Sequence, residues 1–110
     1  MAYDETLAER VRAIMGDDPR LRERKMFGGL CLMVNGNMCV GIVGDELMVR
    51  VGPDGYAEAL ARPHAREMDF TGKVMKGMVF VDATGIGTDP QLEQWIDRGV
   101  AFASSLPPKR

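Results

Sequence analysis

The chain has 110 residues, of which 45% are apolar and 27% charged, a balance that fits one globular domain and argues against disorder. Its formal net charge of −2 gives no overall attraction for nucleic acid. Two cysteines and one histidine are too few for a disulfide scaffold or a multi-histidine metal site. We therefore expect no metal, no cofactor and no catalytic residues, since no nucleophile and base are paired along the sequence.

The N-terminal residues and the hydropathy pattern predict where the protein is found. The first residues lack a basic segment followed by an apolar run, which a signal peptide would need. No apolar stretch approaches the roughly 18 residues that cross a bilayer. We therefore expect a cytoplasmic protein with no membrane partner.

The spacing of apolar residues predicts three helices. The first spans residues 4–15, where apolar side chains recur on one helical face. A short second helix is predicted at residues 54–61. The last begins at Asp89 and Pro90, in the order of a capping residue followed by proline.

Extended apolar runs between these helices predict five strands, which occupy residues 25–34, 37–43, 46–51, 67–70 and 74–81. The resulting order is α-β-β-β-α-β-β-α. It predicts one α+β domain over residues 1–110, in two layers, with an antiparallel sheet that carries its helices on one face.

Two tight turns fix the predicted register of the first three strands. The Asn-Gly pair at residues 35–36 is typical of a two-residue hairpin loop, because both positions need positive φ. The Gly-Asp pair at residues 44–45 predicts a second such loop. Counting back from the two turns pairs Cys31 with Val40, and Val40 with Val49.

Alternation along these strands then assigns their residues to two faces. The face predicted to lie against the helices carries Cys31, Met33, Met38, Val40, Ile42, Leu47, Val49 and Val51. The other face carries Leu30, Leu32, Val34, Cys39, Gly41, Met48 and Arg50. Because this second face is also largely apolar, it predicts either an interface, most simply in a homodimer, or a surface covered by C-terminal segments or a loop.

The predicted interface on the second face consists of Leu30, Leu32, Cys39, Met48 and Arg50. On this hypothesis Leu32→Glu disrupts assembly without unfolding the monomer. The same register places Cys31 and Cys39 on opposite faces, which predicts two buried thiols rather than a disulfide.

One segment concentrates positive charge, through Arg20, Arg22, Arg24 and Lys25. Two interpretations stay open: a solvated connection between helix and strand, or a contact for an anion or nucleic acid. His64 falls in a predicted loop with no serine or cysteine close in sequence, and we interpret it as a surface or packing residue.

Several motifs together resemble the TfoX N-terminal domain family. They are a strand entry, an Asn-Gly hairpin and a final helix with Trp95, and the first two comprise Met26, Phe27, Gly28, Gly29, Asn35 and Gly36. The resemblance covers nearly the whole chain and implies a secretion-chaperone-like fold. It also implies a link to competence regulation, which longer relatives with a second, C-terminal domain perform, and it supplies no catalytic residues. We expect a stand-alone version of the N-terminal domain.

These observations predict a non-enzymatic regulatory or protein-interaction module. Its expected partners are another protein, such as a transcription factor or polymerase component, and a second copy of the chain. The alternative is a nucleic-acid-binding protein that uses the cationic residues 20–25. A second alternative is a small-ligand binder or an enzyme with a pocket that the sequence does not reveal.

Overall fold

The computed structural model describes residues 3–26, 28–70 and 73–108, but not the side chains of residues 69, 70 and 73–75. Phe27 and the predicted turn at residues 71–72 lie outside the described residues. The described residues form three α-helices: α1 (Glu5–Met15), α2 (Gly52–Leu60) and α3 (Asp89–Ser105). The strands are β1 (Leu21–Met26), β2 (Gly29–Val34), β3 (Asn37–Val43), β4 (Glu46–Arg50), β5 (Ala65–Phe70) and β6 (Lys73–Val81). A 3-10 turn spans Ala83–Ile86.

The strands form one antiparallel sheet in the order β1-β2-β3-β4-β6-β5. The predicted α+β class and the order of elements are confirmed, and the structure adds β1, which the sequence analysis treated as a connection. Both edge strands, β1 and β5, carry several charged residues, which discourages pairing with the edge of another sheet. Within the described residues, no helix is long and apolar enough to span a membrane.

Local capping explains where the long helices begin. The Asp4 carboxylate accepts hydrogen bonds from the backbone N–H groups of Thr6 and Leu7, and this starts α1. At α3, Thr88 rather than the predicted Asp89 is the N-cap, because Thr88 and Gln91 form a reciprocal capping box.

Both predicted hairpin turns are present. Asn35 and Gly36 have φ values of 54° and 79°, as a two-residue type I′ loop requires. The pairs next to this loop match the prediction, as Val34 faces Asn37. In the second hairpin the predicted pairing of Val40 with Val49 is confirmed.

A β-bulge in the first hairpin changes the predicted register beyond Met33. Leu32 pairs with Val40, and Cys31 pairs with Gly41 instead of the predicted Val40. Cys39 is the extra residue on β3. In a regular ladder Leu32 would pair with Cys39, but because Cys39 is bulged, Leu32 pairs with Val40 instead. Since a one-residue shift inverts the faces, the predicted faces of β2 are reversed.

The helices pack on one face of the sheet, which we call the helix face. A row of residues on this face crosses all six strands, in the order Glu23, Leu32, Val40, Val49, Val79 and Glu67. Its apolar members are fully buried together with Val11, Leu92 and Ile96 of the helices. The branched side chains on this face form the main core.

Close backbone approaches hold the helix-face core together. A Cβ at Gly99 of α3 would lie 2.7 Å from the Cys39 carbonyl oxygen, so only glycine lets the helix come this near to β3. At the start of β2, a Cβ at Gly29 would likewise collide with the Ile42 carbonyl oxygen, so the two strands also approach closely there.

Candidate functional site

The opposite face of the sheet carries a second apolar cluster, which we call the methionine face. Its buried members are Cys31, Met48, Met68, Met78 and Phe80, and its partly buried members are Met26, Met33, Met38 and Val43. Every one of these residues lies on a strand. Among the described residues, this cluster therefore has no helix packed into it.

The strand pairing aligns these residues in a row that crosses the whole sheet. In order, the row is Arg24, Cys31, Gly41, Met48, Phe80 and Arg66. A Cβ at Gly41 would lie 2.5 Å from the Met48 Cε, so the glycine gives the methionine side chain room across β3. The row is apolar in its middle and cationic at both edges of the sheet.

A groove of about 680 Å³ opens on the methionine face. It runs to the end of the sheet where β4 leads into α2, and Gly52 and Phe102 line that end. Its apolar walls are Met26, Met33, Met38 and Met78, and its cationic residues are Arg22, Arg24, Arg50 and Lys76. Unbranched thioether side chains adapt to the shape of a bound apolar group, so this lining suits a ligand or partner surface.

The cationic residues of the groove differ in the contacts that they make within the protein. The Arg22 guanidinium donates to the backbone carbonyls of Pro19 and Leu21. The Arg50 guanidinium lies 5.2 Å from the Phe102 ring centroid, a cation–π contact. Across the described residues, none of the ion pairs involves Arg22, Arg24 or Arg50.

The acidic groove residue, Glu23, is already neutralised from the other side of the sheet. Arg12 of α1 donates to both Glu23 carboxylate oxygens, at 2.6 and 2.9 Å. This hydrogen bonding lowers the pKa of the Glu23 carboxyl. The groove therefore presents positive charge that its own carboxylate does not offset.

The predicted interface does not form one surface. Leu30, Leu32 and Cys39 are buried in the helix-face core, because the bulge reverses the predicted faces of β2 and moves Cys39 to the helix face. Met48 lies on the methionine face but is fully buried in its floor. Arg50 alone of the five lines the groove.

The predicted cationic cluster is also divided. Arg22 and Arg24 project on the methionine face, since they pair with Met33 and Cys31, and they line the groove. Lys25 pairs with Leu30 and so belongs to the helix face. Arg20 binds Asp18 and the Ser104 hydroxyl instead, and Asp18 has its pKa lowered to about 2 by this contact.

Met33, Met38, Lys76 and Met78 are among the groove residues that were not predicted as site residues. If residues 21–26 are treated as a strand that pairs with β2 from Met26 and Gly29 onward, counting back places Arg22 beside Met33. The bulge has no sequence signature of its own, because Cys39 and Val40 are both apolar.

The two cysteines lie in different clusters, as the predicted opposite faces require. Cys31 belongs to the methionine face and Cys39 to the helix-face core, the reverse of the predicted assignment. Burial raises the pKa of Cys31 to about 11 and that of Cys39 to about 12. Thiols of this kind are poor nucleophiles at neutral pH.

His64 is the remaining group with possible chemistry. Its Nδ1 lies 3.4 Å from the Asp82 carboxylate, which also accepts hydrogen bonds from the backbone N–H groups of Thr84 and Gly85. Asp82 thus acts as the cap of the 3-10 turn. Across residues 3–26, 28–70 and 73–108, no group of three or more potential metal-ligating side chains is found.

Two comparisons with known proteins were made. The family model of the TfoX N-terminal domain matches residues 14–103, which include the whole sheet, α2, most of α3 and the last two residues of α1. A search of curated proteins found no match.

Proposed function

Because the chain belongs to the TfoX N-terminal domain family, we propose that it is a non-enzymatic regulatory module that binds another protein through the methionine face. The observation that supports this most is the apolar groove with its adaptable methionine lining and cationic margin. A cluster in which Met48 and Cys31 are fully buried by strand residues alone provides a stable floor for such a surface.

A different protein fits the groove better than a second copy of the chain. In a two-fold symmetric dimer the same surface meets itself, so the interface would contain Arg22, Arg24 and Arg50 of both copies. Like charges brought together at an interface oppose association. The homodimer predicted from the sequence is therefore a less favourable use of this face.

Site-specific photo-crosslinking in cells tests the proposal. A photoreactive residue replaces Met38, which is partly buried in the groove wall, and in a control it replaces the exposed Glu93 on α3. We expect a protein adduct from position 38 only. The captured protein, once purified, should bind the wild-type chain and lose affinity for Met33→Glu. Equal capture from both positions, or unchanged binding by Met33→Glu, would contradict the proposal.

Nucleic-acid binding is the second candidate function, and the placement of Arg22 and Arg24 beside Arg50 favours it. Binding through phosphate contacts has to weaken steeply with added salt. A nucleic-acid adduct at position 38, together with such a salt response for a single-stranded oligonucleotide, would support this function in place of the first.

A small-ligand or enzymatic role is the third candidate, since the groove volume falls in the range of about 300–1,000 Å³ that ligand pockets occupy. Its polar groups are cations at the margin rather than a converging set of donors and acceptors. Native mass spectrometry of the chain purified from its source cells tests it: a stoichiometric bound molecule that Met38→Glu abolishes would support this role.

A further inference from the structure

Two neighbouring rows that cross the sheet end in opposite charges on its two faces. On the helix face, the row that contains Val40 ends in Glu23 of β1 and Glu67 of β5. On the methionine face, the neighbouring row ends in Arg24 and Arg66. At these positions, alternation along each edge strand places the acids on one face and the arginines on the other.

The helix face shows how this chain complements such edges. Arg12 of α1 binds Glu23, and the Tyr56 hydroxyl of α2 lies 3.5 Å from the Glu67 carboxylate. An apolar helix stripe covers the middle of the face, and groups beside that stripe bind the charged margins. Apolar packing thus joins the helices to the centre of this face, and polar or charged contacts join them to its edges.

We infer that the methionine face receives an amphipathic helix of a partner protein, with an apolar stripe flanked by acidic side chains. The inference rests on the proposed function and adds the chemistry of the partner. Apolar side chains of that helix would enter the groove between Met33, Met38 and Met78. Its carboxylates would bind Arg22, Arg24 and Arg50, three groove cations that make no ion pair with the described residues.

The ion pairs within the chain favour an acidic rather than a basic partner. The one acid that lines the groove, Glu23, is held by Arg12. On the margin near β5, Glu46 already binds Arg66, so that pair is neutral overall. A basic helix would meet Arg22 and Arg24, and the carboxylate of Glu23 between them is already bound by Arg12, which is unfavourable for association.

Two synthetic peptides of about 18 residues provide the probe, since such a helix is about 27 Å long and comparable to the sheet. Both carry leucine at positions i, i+3, i+4 and i+7, and their flanking residues are glutamate in one and lysine in the other. Fluorescence anisotropy with the full chain measures both affinities. We expect the glutamate peptide to bind at least about tenfold more tightly, and this ratio to shrink with added salt.

A pair of charge reversals at neighbouring positions sharpens the test. Arg24→Glu places the new acid in the groove, whereas Lys25→Glu places it on the helix face of the same strand. Both variants change the net charge equally. Arg24→Glu should remove the preference for the glutamate peptide, and Lys25→Glu should leave most of it in place.

Equal affinity of the two peptides, or equal effects of the two variants, would overturn the inference. So would Arg24-dependent binding of a single-stranded oligonucleotide or of decanoate with no binding of the glutamate peptide. If photo-crosslinking at position 38 still captures a specific protein in these cases, the proposed function stands and only the assigned partner chemistry fails.

Discussion

The helix face and the methionine face are built from alternate residues of the same strands, yet they use different kinds of apolar side chain. The helix face is rich in Leu, Val and Ile, whereas the other face is rich in Met. Branched side chains have few rotamers and suit a fixed contact, such as the packing of α3 on β3. Unbranched methionines adapt to more than one neighbour. The face that is covered by helices is therefore distinguished by the type of its apolar residues and not by their number.

The largest expected contrast between the faces comes from adjacent residues of β2. Leu32 is fully buried in the helix-face core, so Leu32→Glu should lower the free energy of unfolding by about 4 kcal/mol or more, because it buries a charge without a partner. Met33 lies at the groove wall, and Met33→Glu should cost about 1 kcal/mol or less. Urea unfolding monitored by circular dichroism measures both.

This outcome would reverse the expectation drawn from the uncorrected register, in which Leu32→Glu spares the fold. A Leu32→Glu protein with wild-type stability would show that β2 faces the other way. An unfolded Met33→Glu protein would show that the methionine face is as tightly packed as the core.

The second contrast concerns two helical glycines. Gly99→Ala should destabilise the protein by about 1–3 kcal/mol, since its Cβ would meet the Cys39 carbonyl at 2.7 Å on the helix face. Gly55→Ala in α2 should instead stabilise by about 0.5–1 kcal/mol, because the nearest atom to its Cβ lies 3.8 Å away and alanine favours helix. Thermal and urea unfolding of both variants provide the test, and a stabilising Gly99→Ala would refute the tight contact of α3.

The third contrast is the reactivity of the two thiols. Cys31 lies beneath the methionine face and Cys39 beneath α3, so opening of the uncovered face exposes Cys31 first. We expect Cys31 to be alkylated faster than Cys39 in the native protein. Peptide mass spectrometry over a time course measures both rates, and equal rates would mean that both faces open together.

Sequence patterns captured the fold because its determinants are local. The Asp4 cap, the Asn35–Gly36 turn and the periodicity of the helices each act within a few residues. The bulge at Cys39 is not encoded locally, since an apolar residue fits either face, and Cys39 packs against Gly99 of a helix that is distant in sequence. That single residue is enough to misassign β2.

The candidate site was predicted in fragments for the same reason. Arg22, Arg24 and Arg50 were each singled out, but in two separate hypotheses. They converge only because β1 joins the sheet at the edge and pairs with β2 in a fixed register. The sequence of β1 is not typical of a strand because it is rich in charged residues, which edge strands carry more often than interior strands.

The smallest expected effect tests the charged margin of the helix face. Glu23→Gln should lower the free energy of unfolding at pH 7 by about 0.5–1 kcal/mol, because its ion pair with Arg12 is partly exposed. The Glu23 pKa is lower in the folded state than its ordinary value of 4.5, so this contribution is complete above that value. It declines as the pH falls through the folded-state pKa. Urea unfolding at pH 7 and pH 3 should therefore show a difference between wild type and variant that is smaller at pH 3.

Glu93→Gln on the exposed side of α3 is the matched control and should change little at either pH. A Glu23→Gln effect of the same size at both pH values would mean that the side chain acts through packing and not through charge. Glu23 would then not be an example of an edge acid that holds a helix on this sheet through its charge. The acidic flanks inferred for the partner of the methionine face would have to stand on the peptide experiment alone.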